Sequence, residues 1–561
     1  MGESFDADYL IVGSGFGGSA SALRLVEKGY RVVMLERGRE LKAKDFPKTN
    51  WNLRRWLWMP ALGWRGLFVM RFFRHVTVLA GSGVGGGSLV YANTLPVPKK
   101  SFYEANSWAH LAPWETELAP HYQTARAMMG ATQTPFLTPP DRILKKVAER
   151  RGIPEAFDST HTAVFYGEPG KTVPDPYFGG EGPDRTGCTH CGSCMTGCRH
   201  GAKNTLDKNY LFLARKRGLD IQPDTEVTHV RPLEGGGYEV TAKQGARRWF
   251  RTTRVFRVGQ VIFSAGVLGT VDLLLKLQRD PEGLPNLSPR LGARIRTNSE
   301  SLIGVSAPGM KKDLSKGVAI GSILQTDEHS HLEMVRYGAG SGFFRVAMFP
   351  HIGGDLPGPV KVLKGVAYMF RHPLKTLRAY TVRDWAKTTM ILLYMRSTEG
   401  TLRFVGKRRW LNPFAQKMGA VVEDGEAPTA SIPEATSLAE ELAEVSDGMP
   451  GSLLSETATN IPTTAHILGG CCMGADASEG VIDHEHRVFN YPGLFVIDGS
   501  SISANPGVNP SLTILALAER AMSRIPAKAG AELKPAPEAQ AAIPHRLRVQ
   551  DDGVLEYSSA S

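Results

Sequence analysis

The first thirty-six residues constrain this chain more than any other stretch. The apolar run Tyr9-Leu10-Ile11-Val12 ends in Gly13-Ser14-Gly15-Phe16-Gly17-Gly18, a GxGxxG turn. A small-residue helix carrying Ala20, Leu23 and Leu25 follows, and then the strand Arg31-Val32-Val33-Met34-Leu35, closed by Glu36. Strand, glycine turn, helix and acid-tipped strand make a βαβ unit that binds a dinucleotide. The glycines let the backbone turn sharply and approach a pyrophosphate, and the helix start offers free N–H groups and the positive end of its dipole. A carboxylate at Glu36 accepts hydrogen bonds from a ribose hydroxyl and repels a 2′-phosphate, which disfavours NADP. Gly13, Gly15, Phe16, Gly17, Gly18 and Glu36 are therefore expected cofactor contacts. The motif does not by itself separate FAD from NAD.

A second block makes that separation. The glycine-dense run Gly81-Ser82-Gly83-Val84-Gly85-Gly86-Gly87-Ser88-Leu89-Val90-Tyr91-Ala92-Asn93 can lie flat against a large planar ligand. It resembles the first signature of the glucose–methanol–choline (GMC) FAD oxidoreductases, and Ser264-Ala265-Gly266-Val267-Leu268-Gly269-Thr270 resembles the second, with Gly269-Thr270 where Ser-Pro is usual. Near the C-terminus stand His466-Ile467-Leu468-Gly469-Gly470, the strand Leu494-Phe495-Val496-Ile497 ending in Asp498-Gly499, and Gly507-Val508-Asn509-Pro510. They resemble the catalytic end of the same family, and Asn509 in place of a second histidine is similar to its bacterial cholesterol-oxidising branch.

The resemblance implies FAD as cofactor, held also by Gly81, Gly85, Gly86, Gly87, Ser88, Asn93, Ala265, Gly266, Asp498, Gly499, Asn509 and Pro510. It implies an alcohol oxidised by hydride transfer to flavin, with a 3β-hydroxysterol such as cholesterol as the expected substrate. His466 is the expected proton acceptor, because an imidazole titrates near working pH. Asn509 hydrogen-bonds the substrate oxygen without adding charge. Glu333, in His331-Leu332-Glu333-Met334, resembles the glutamate that moves a proton during Δ5–Δ4 isomerisation. The alternative is an FAD dehydrogenase of another long-chain alcohol or a sugar, passing electrons to a separate acceptor through an iron–sulfur cluster. The acceptor itself, oxygen or a redox partner, is left open.

Cys188, Cys191, Cys194 and Cys198 have the spacing CxxCxxCxxxC, that of a bacterial ferredoxin run with Arg199 in place of proline. One iron–sulfur cluster, a structural zinc or a metal-free remnant are the three readings. Four clustered thiols and the adjacent Cys471 and Cys472 are not a distributed disulfide framework, which points to a reducing, cytoplasmic setting. The N-terminus lacks the basic and apolar regions of a secretory signal, and no transmembrane segment is expected.

Aromatic and arginine residues interleave from Trp51 to Arg74, either as a lid over the cofactor or as a peripheral membrane contact; a further basic amphipathic span lies near 360–392. A net charge of +11 suits an anionic surface equally well as plain solvation. No nucleic-acid partner is expected.

The fold class that results is α/β: a Rossmann-like FAD-binding domain with a discontinuous second α+β substrate domain built on an antiparallel sheet. Segments 1–100, 201–300 and 461–525 make the first domain and 301–460 the second. Segment 101–200 connects them, and 526–561, rich in proline and alanine, is expected to be disordered.

Overall fold

The N-terminal apolar strand, Ala7–Val12, is buried along nearly its whole length, so it needs a neighbour on each edge and cover on each face. In the computed structural model, which describes residues 5–246, 250–398, 400–409, 412–542, 547–549 and 555–557, it pairs in parallel with Val32–Leu35 on one side and with the second half of Thr252–Phe263 on the other. Asp220–Gln222 extends the sheet beyond Val32–Leu35, and Leu494–Val496 pairs in parallel with Val261–Phe263. The first half of Thr252–Phe263 instead pairs antiparallel with Tyr238–Gln244, which is joined to Thr225–Pro232. One long strand thus serves both a parallel nucleotide-binding core and an antiparallel flap. Three distant pieces of sequence meet in this sheet.

The helix Phe16–Glu27 packs on it through Ala20, Leu23 and Leu25, all fully buried. Its approach is close: a Cβ on Gly17 would stand 1.9 Å from the Ile497 carbonyl oxygen, so only glycine lets this turn reach the C-terminal strand.

The second sheet has seven strands, all antiparallel, in the order Met348–Pro350, Met449–Leu453, Ser301–Ser306, Thr389–Arg396, Ser330–Val335, Ile320–Gln325 and Phe157–Ser159. Side chains alternate between its faces. Leu332, Met334, Leu392 and Val305 face the helices Pro139–Arg150 and Pro433–Ser446 in one core. Val335 and Leu393 face the other way, toward the first domain. The last strand comes from segment 101–200, which is more than a connector.

The aromatics of 51–74 divide. Trp56 is buried and stacks on Phe68 with ring centroids 4.6 Å apart, in a cluster with Leu57, Leu67 and Leu89. Trp51, Met59, Leu62 and Phe72 remain exposed.

The C-terminal stretch is held where composition alone suggested disorder. The Lys528 and Lys534 amides donate to the carbonyls of Lys28 and Glu27, at the end of the first helix where carbonyls lack intrahelical partners. The Gln540 amide donates to Tyr177. Residues 543–546, 550–554 and 558–561 of the expected tail lie outside the described residues. Among the described residues no helix is long and apolar enough to cross a membrane.

Candidate active site

A single cavity of about 580 Å³ runs from Glu36 and the Gly13–Gly17 turn to the face of the antiparallel sheet. At the nucleotide end, Glu36 accepts from the Ser14 hydroxyl at 2.7 Å and amide at 3.1 Å, and from the Gly38 amide at 2.7 Å. These bonds fix the carboxylate while it still borders the cavity. The first helix begins at Gly15 with no side-chain cap and no acid in its first turn, so its orphan N–H groups and dipole are left for an anion. A Cβ on Gly15 would meet nothing within 4 Å, and Gly15 lines the cavity, so the bare backbone leaves a cradle there.

Asp498 closes the middle of the cavity. One oxygen accepts from the Gly266 amide at 2.8 Å and the Thr270 hydroxyl at 2.5 Å; the other accepts from the Ser500 amide and hydroxyl. Thr270, the departure from the second signature, therefore supplies a hydrogen bond that proline cannot. Burial pushes the Asp498 carboxyl up despite these donors.

At the far end His466 is held from three sides. Its amide donates to the Thr464 hydroxyl at 2.9 Å, the Ala465 amide donates to Glu300 Oε1 at 2.7 Å, and its Nδ1 lies 2.7 Å from Glu300 Oε2. Glu300 is fully buried and follows two residues in the left-handed region, Asn298 (φ 62°) and Ser299 (φ 44°), a kink that turns the carboxylate toward the histidine. A carboxylate has no hydrogen to give when ionised, so the proton of this contact sits on Nδ1 and the Nε2 lone pair faces the cavity. Burial works against a charged imidazole, but the charge and hydrogen bond of Glu300 outweigh it and hold the His466 pKa above its usual value, with Glu333 adding to the effect. The Asn509 amide nitrogen stands 3.4 Å from Nε2, and among the described residues its buried Oδ1 has no hydrogen-bond partner.

Of the residues singled out in the sequence, Gly13, Gly15, Phe16, Gly17, Glu36, Gly81, Gly86, Gly87, Ala265, Gly266, His466, Asp498, Gly499, Asn509 and Pro510 all line this one cavity. Four others shape it from behind. A Cβ on Gly18 would stand 2.3 Å from the Gly13 carbonyl, and Gly85 turns the chain at φ 102°. The Ser88 hydroxyl donates to Gly85 and accepts from the Leu206 amide, and the Asn93 carbonyl accepts from the Ala163 amide.

Glu333 lies on the cavity-facing side of Ser330–Val335, opposite Leu393 and two residues before Val335, both of which line the cavity. It is fully buried, and the equally buried His331 ring stands within ion-pair distance, 3.8 Å from Oε1; among the described residues neither side chain makes a hydrogen bond. Glu300 is the residue that sequence motifs missed, since no local pattern marks it.

The four clustered cysteines are free thiols around a separate cavity of about 20 Å³, room for roughly one water. Among the described residues no three His, Cys, Asp or Glu side chains are placed to hold a metal ion. The buried ammonium of Lys203 enters the same space, donating to the carbonyls of Leu89, Tyr91 and Cys194. The geometry as placed thus lends no support to the iron–sulfur or zinc reading of their spacing. The flavin nucleotide does fit its residues: the glycine cradle, the uncapped helix start and the unpartnered Asn509 oxygen all border one elongated cavity.

Comparison with known proteins agrees with this geometry. Family models described as GMC oxidoreductase match residues 182–283 and 408–518, and one described as an NAD(P)-binding Rossmann-like domain matches 11–50. The chain is 46% identical over 535 residues to a cholesterol oxidase of Acinetobacter baumannii, covering 94% of this chain and 95% of the relative. It is 45% identical over 550 residues to a cholesterol oxidase of Mycobacterium tuberculosis, covering 94% and 93%. A solved pyridoxine 4-oxidase from Mesorbium loti shares the fold with a TM-score of 0.59 at 15% identity, covering 92% and 99%.

Proposed function

This chain belongs to the GMC oxidoreductase family, and on that premise we propose that it oxidises the 3β-hydroxyl of a sterol, with His466 as proton acceptor, Asn509 as oxygen-orienting amide and Glu333 as the proton carrier of a coupled isomerisation. The enzyme is an FAD-dependent alcohol oxidoreductase. FAD, when bound, supplies the acceptor for the hydride that leaves the carbinol carbon.

The observation that carries the reading is the pairing of His466 with Glu300 at the point where the cofactor cavity meets the antiparallel sheet. A hydroxyl placed between His466 Nε2 and the Asn509 amide gives its proton to Nε2 and accepts an N–H from Asn509. Glu300 holds the ring in the tautomer this needs and stabilises the imidazolium that results. Loss of the hydroxyl proton and of the carbon-bound hydride together leaves a ketone.

Leu302, Ile320, Val335, Ile391 and Leu393 line the substrate end of the cavity, a surface suited to a rigid hydrocarbon rather than to the many hydroxyls of a sugar. The names of the two cholesterol oxidases reported above support the same substrate. Moving a Δ5 double bond into conjugation with the new ketone needs a base to take a proton from C4 and return it at C6. Glu333 supports this role because its carboxylate is buried at the cavity-facing sheet surface with no hydrogen bond to tie it down.

The test is an anaerobic panel of a 3β-hydroxysterol, a fatty alcohol and a sugar, read by flavin absorbance. Bleaching by the sterol at the lowest concentration is expected. Bleaching by the fatty alcohol or sugar, with the sterol inert, would remove the substrate assignment and leave the oxidoreductase.

A further inference from the structure

The helices Gly358–Arg371 and Pro373–Thr381 stand on the second domain with their apolar stripe turned outward. Val360, Leu363, Val366 and Phe370 recur at three- and four-residue spacing on the first helix, and Leu374 and Leu377 stand three apart on the second, the spacing of one face on each. That face should be buried, yet Leu363 is 70% exposed, Phe370 83%, Leu374 70% and Leu377 59%. The opposite face makes the contact with the domain: Gly365 sits so tightly against Phe349 that a Cβ would be 2.2 Å from its ring, and Thr376 and Ala379 are buried.

The same stretch is one-sided in charge. No Asp or Glu lies between Asp355 and Asp384, while Lys361, Lys364, Arg371, Lys375, Arg378 and Arg383 do. Lys361 is committed to Asn460 and Lys375 to Asp447, but Lys364, Arg371 and Arg378 are exposed beside the apolar stripe.

The position matters as much as the composition. The first helix packs on Met348–Pro350, and the Tyr380 hydroxyl of the second donates to the Met348 carbonyl at 2.9 Å. Met348 lines the substrate end of the cavity, as does Trp385, four residues beyond the second helix. The helix pair that carries the exposed stripe therefore packs beside residues that line the cavity at the end opposite Glu36.

We infer that this helix pair is a docking surface for an anionic lipid bilayer, and that it sets the substrate end of the cavity against the membrane. Apolar side chains flanked by lysine and arginine match the acyl–headgroup boundary, the rings and aliphatic chains entering the lipid and the cations meeting phosphate. A second copy of the chain is the poorer occupant, because face-to-face pairing would set these cations against one another. The proposal places the membrane contact on 358–381; the aromatic segment 51–74 spends Trp56 and Phe68 in a core and leaves Trp51 and Phe72 exposed. The docking itself needs no substrate; its use in delivering a membrane-dissolved alcohol rests on the sterol reading above.

The FAD-loaded full chain is tested by co-sedimentation with phosphatidylcholine vesicles, with and without phosphatidylserine and free of any sterol. Binding to the anionic vesicles, weakened by salt, is expected. The double variant Phe370→Ser/Leu374→Ser, and separately Lys364→Glu/Arg371→Glu/Arg378→Glu, should each lower the vesicle partition coefficient by on the order of tenfold or more. Oxidation of a detergent-solubilised alcohol should be unchanged in both, while oxidation of sterol held in anionic vesicles falls. Failure of the wild type to bind, or equal binding by the variants, overturns the docking site. So does a stable homodimer in sedimentation equilibrium that the Phe370→Ser/Leu374→Ser pair dissociates. Vesicle binding with no sterol oxidation keeps the docking site and removes only the substrate reading.

Discussion

Replacing Glu300 with glutamine changes one atom in a fully buried side chain and tests whether a residue that never touches the alcohol governs the proton acceptor. Glu300 accepts two hydrogen bonds at 2.7 Å, from the Ala465 amide and from His466 Nδ1. A glutamine offers one oxygen and one NH2, so it can accept from only one of these two donors. With its oxygen toward Ala465, its NH2 faces Nδ1; the ring then keeps its proton on Nε2, and the lone pair that receives the alcohol proton is lost. With its oxygen toward His466, its NH2 opposes the Ala465 amide, donor against donor. A hydrogen bond to a charged group contributes about 1.5–3 kcal/mol. At roughly 1.4 kcal/mol per tenfold, losing it slows flavin reduction by roughly 10- to 100-fold.

The pH dependence has a definite sign. Glu300 raises the His466 pKa, and a base works only when deprotonated, so the wild-type acid limb of kcat/KM lies above that of an ordinary histidine. Removing the carboxylate charge moves the limb to lower pH. The assay is anaerobic stopped-flow reduction of the flavin across pH, with FAD content and Tm measured on the same samples. A reduction rate within twofold of wild type and an unmoved acid limb would refute the role given to Glu300.

Glu333→Gln should keep alcohol oxidation within a few-fold and abolish Δ5–Δ4 isomerisation, so that the unconjugated ketone accumulates in ultraviolet spectra; unimpaired formation of the conjugated product rules Glu333 out. Burial pushes the Glu456 carboxyl up to about 7 from an ordinary 4.5. Its raised folded pKa contributes stability at pH below 4.5 that is lost as pH rises through 7, about 3 kcal/mol in all. Calorimetry should show a Tm that falls from pH 5 to 8 in the wild type and falls less in Glu456→Gln, and parallel slopes would contradict this. Gly17→Ala forces a Cβ to 1.9 Å from the Ile497 carbonyl, and should yield protein without FAD or none that folds; a yellow protein with full FAD content would show that the turn tolerates the shift.

What could be read from the sequence was local. The glycine turn and Glu36, the second glycine block and the His466 and Asn509 segments each carry their chemistry within a few residues. All but a few of the contacts drawn from them line one cavity. Glu300 could not be read this way, because it lies 166 positions from the histidine it orients and is aimed by a backbone kink rather than a motif. Asp498 was legible as a cavity residue but not as the clasp that ties Gly266 and Thr270 to Ser500. The cysteine spacing suggested a cluster, yet spacing says nothing of Lys203, whose ammonium enters the same small space. The basic amphipathic span near 360–392 showed its periodicity in the sequence, but only the fold reveals that its apolar face is left exposed by the described residues.

The central claim is that His466 takes the alcohol proton at the junction of cofactor cavity and sheet. Single-turnover anaerobic mixing of FAD-loaded His466→Ala with a 3β-hydroxysterol tests it most directly. The account predicts a yellow protein with wild-type FAD content whose flavin absorbance stays oxidised on the timescale that bleaches the wild type. Reduction at a wild-type rate would contradict it.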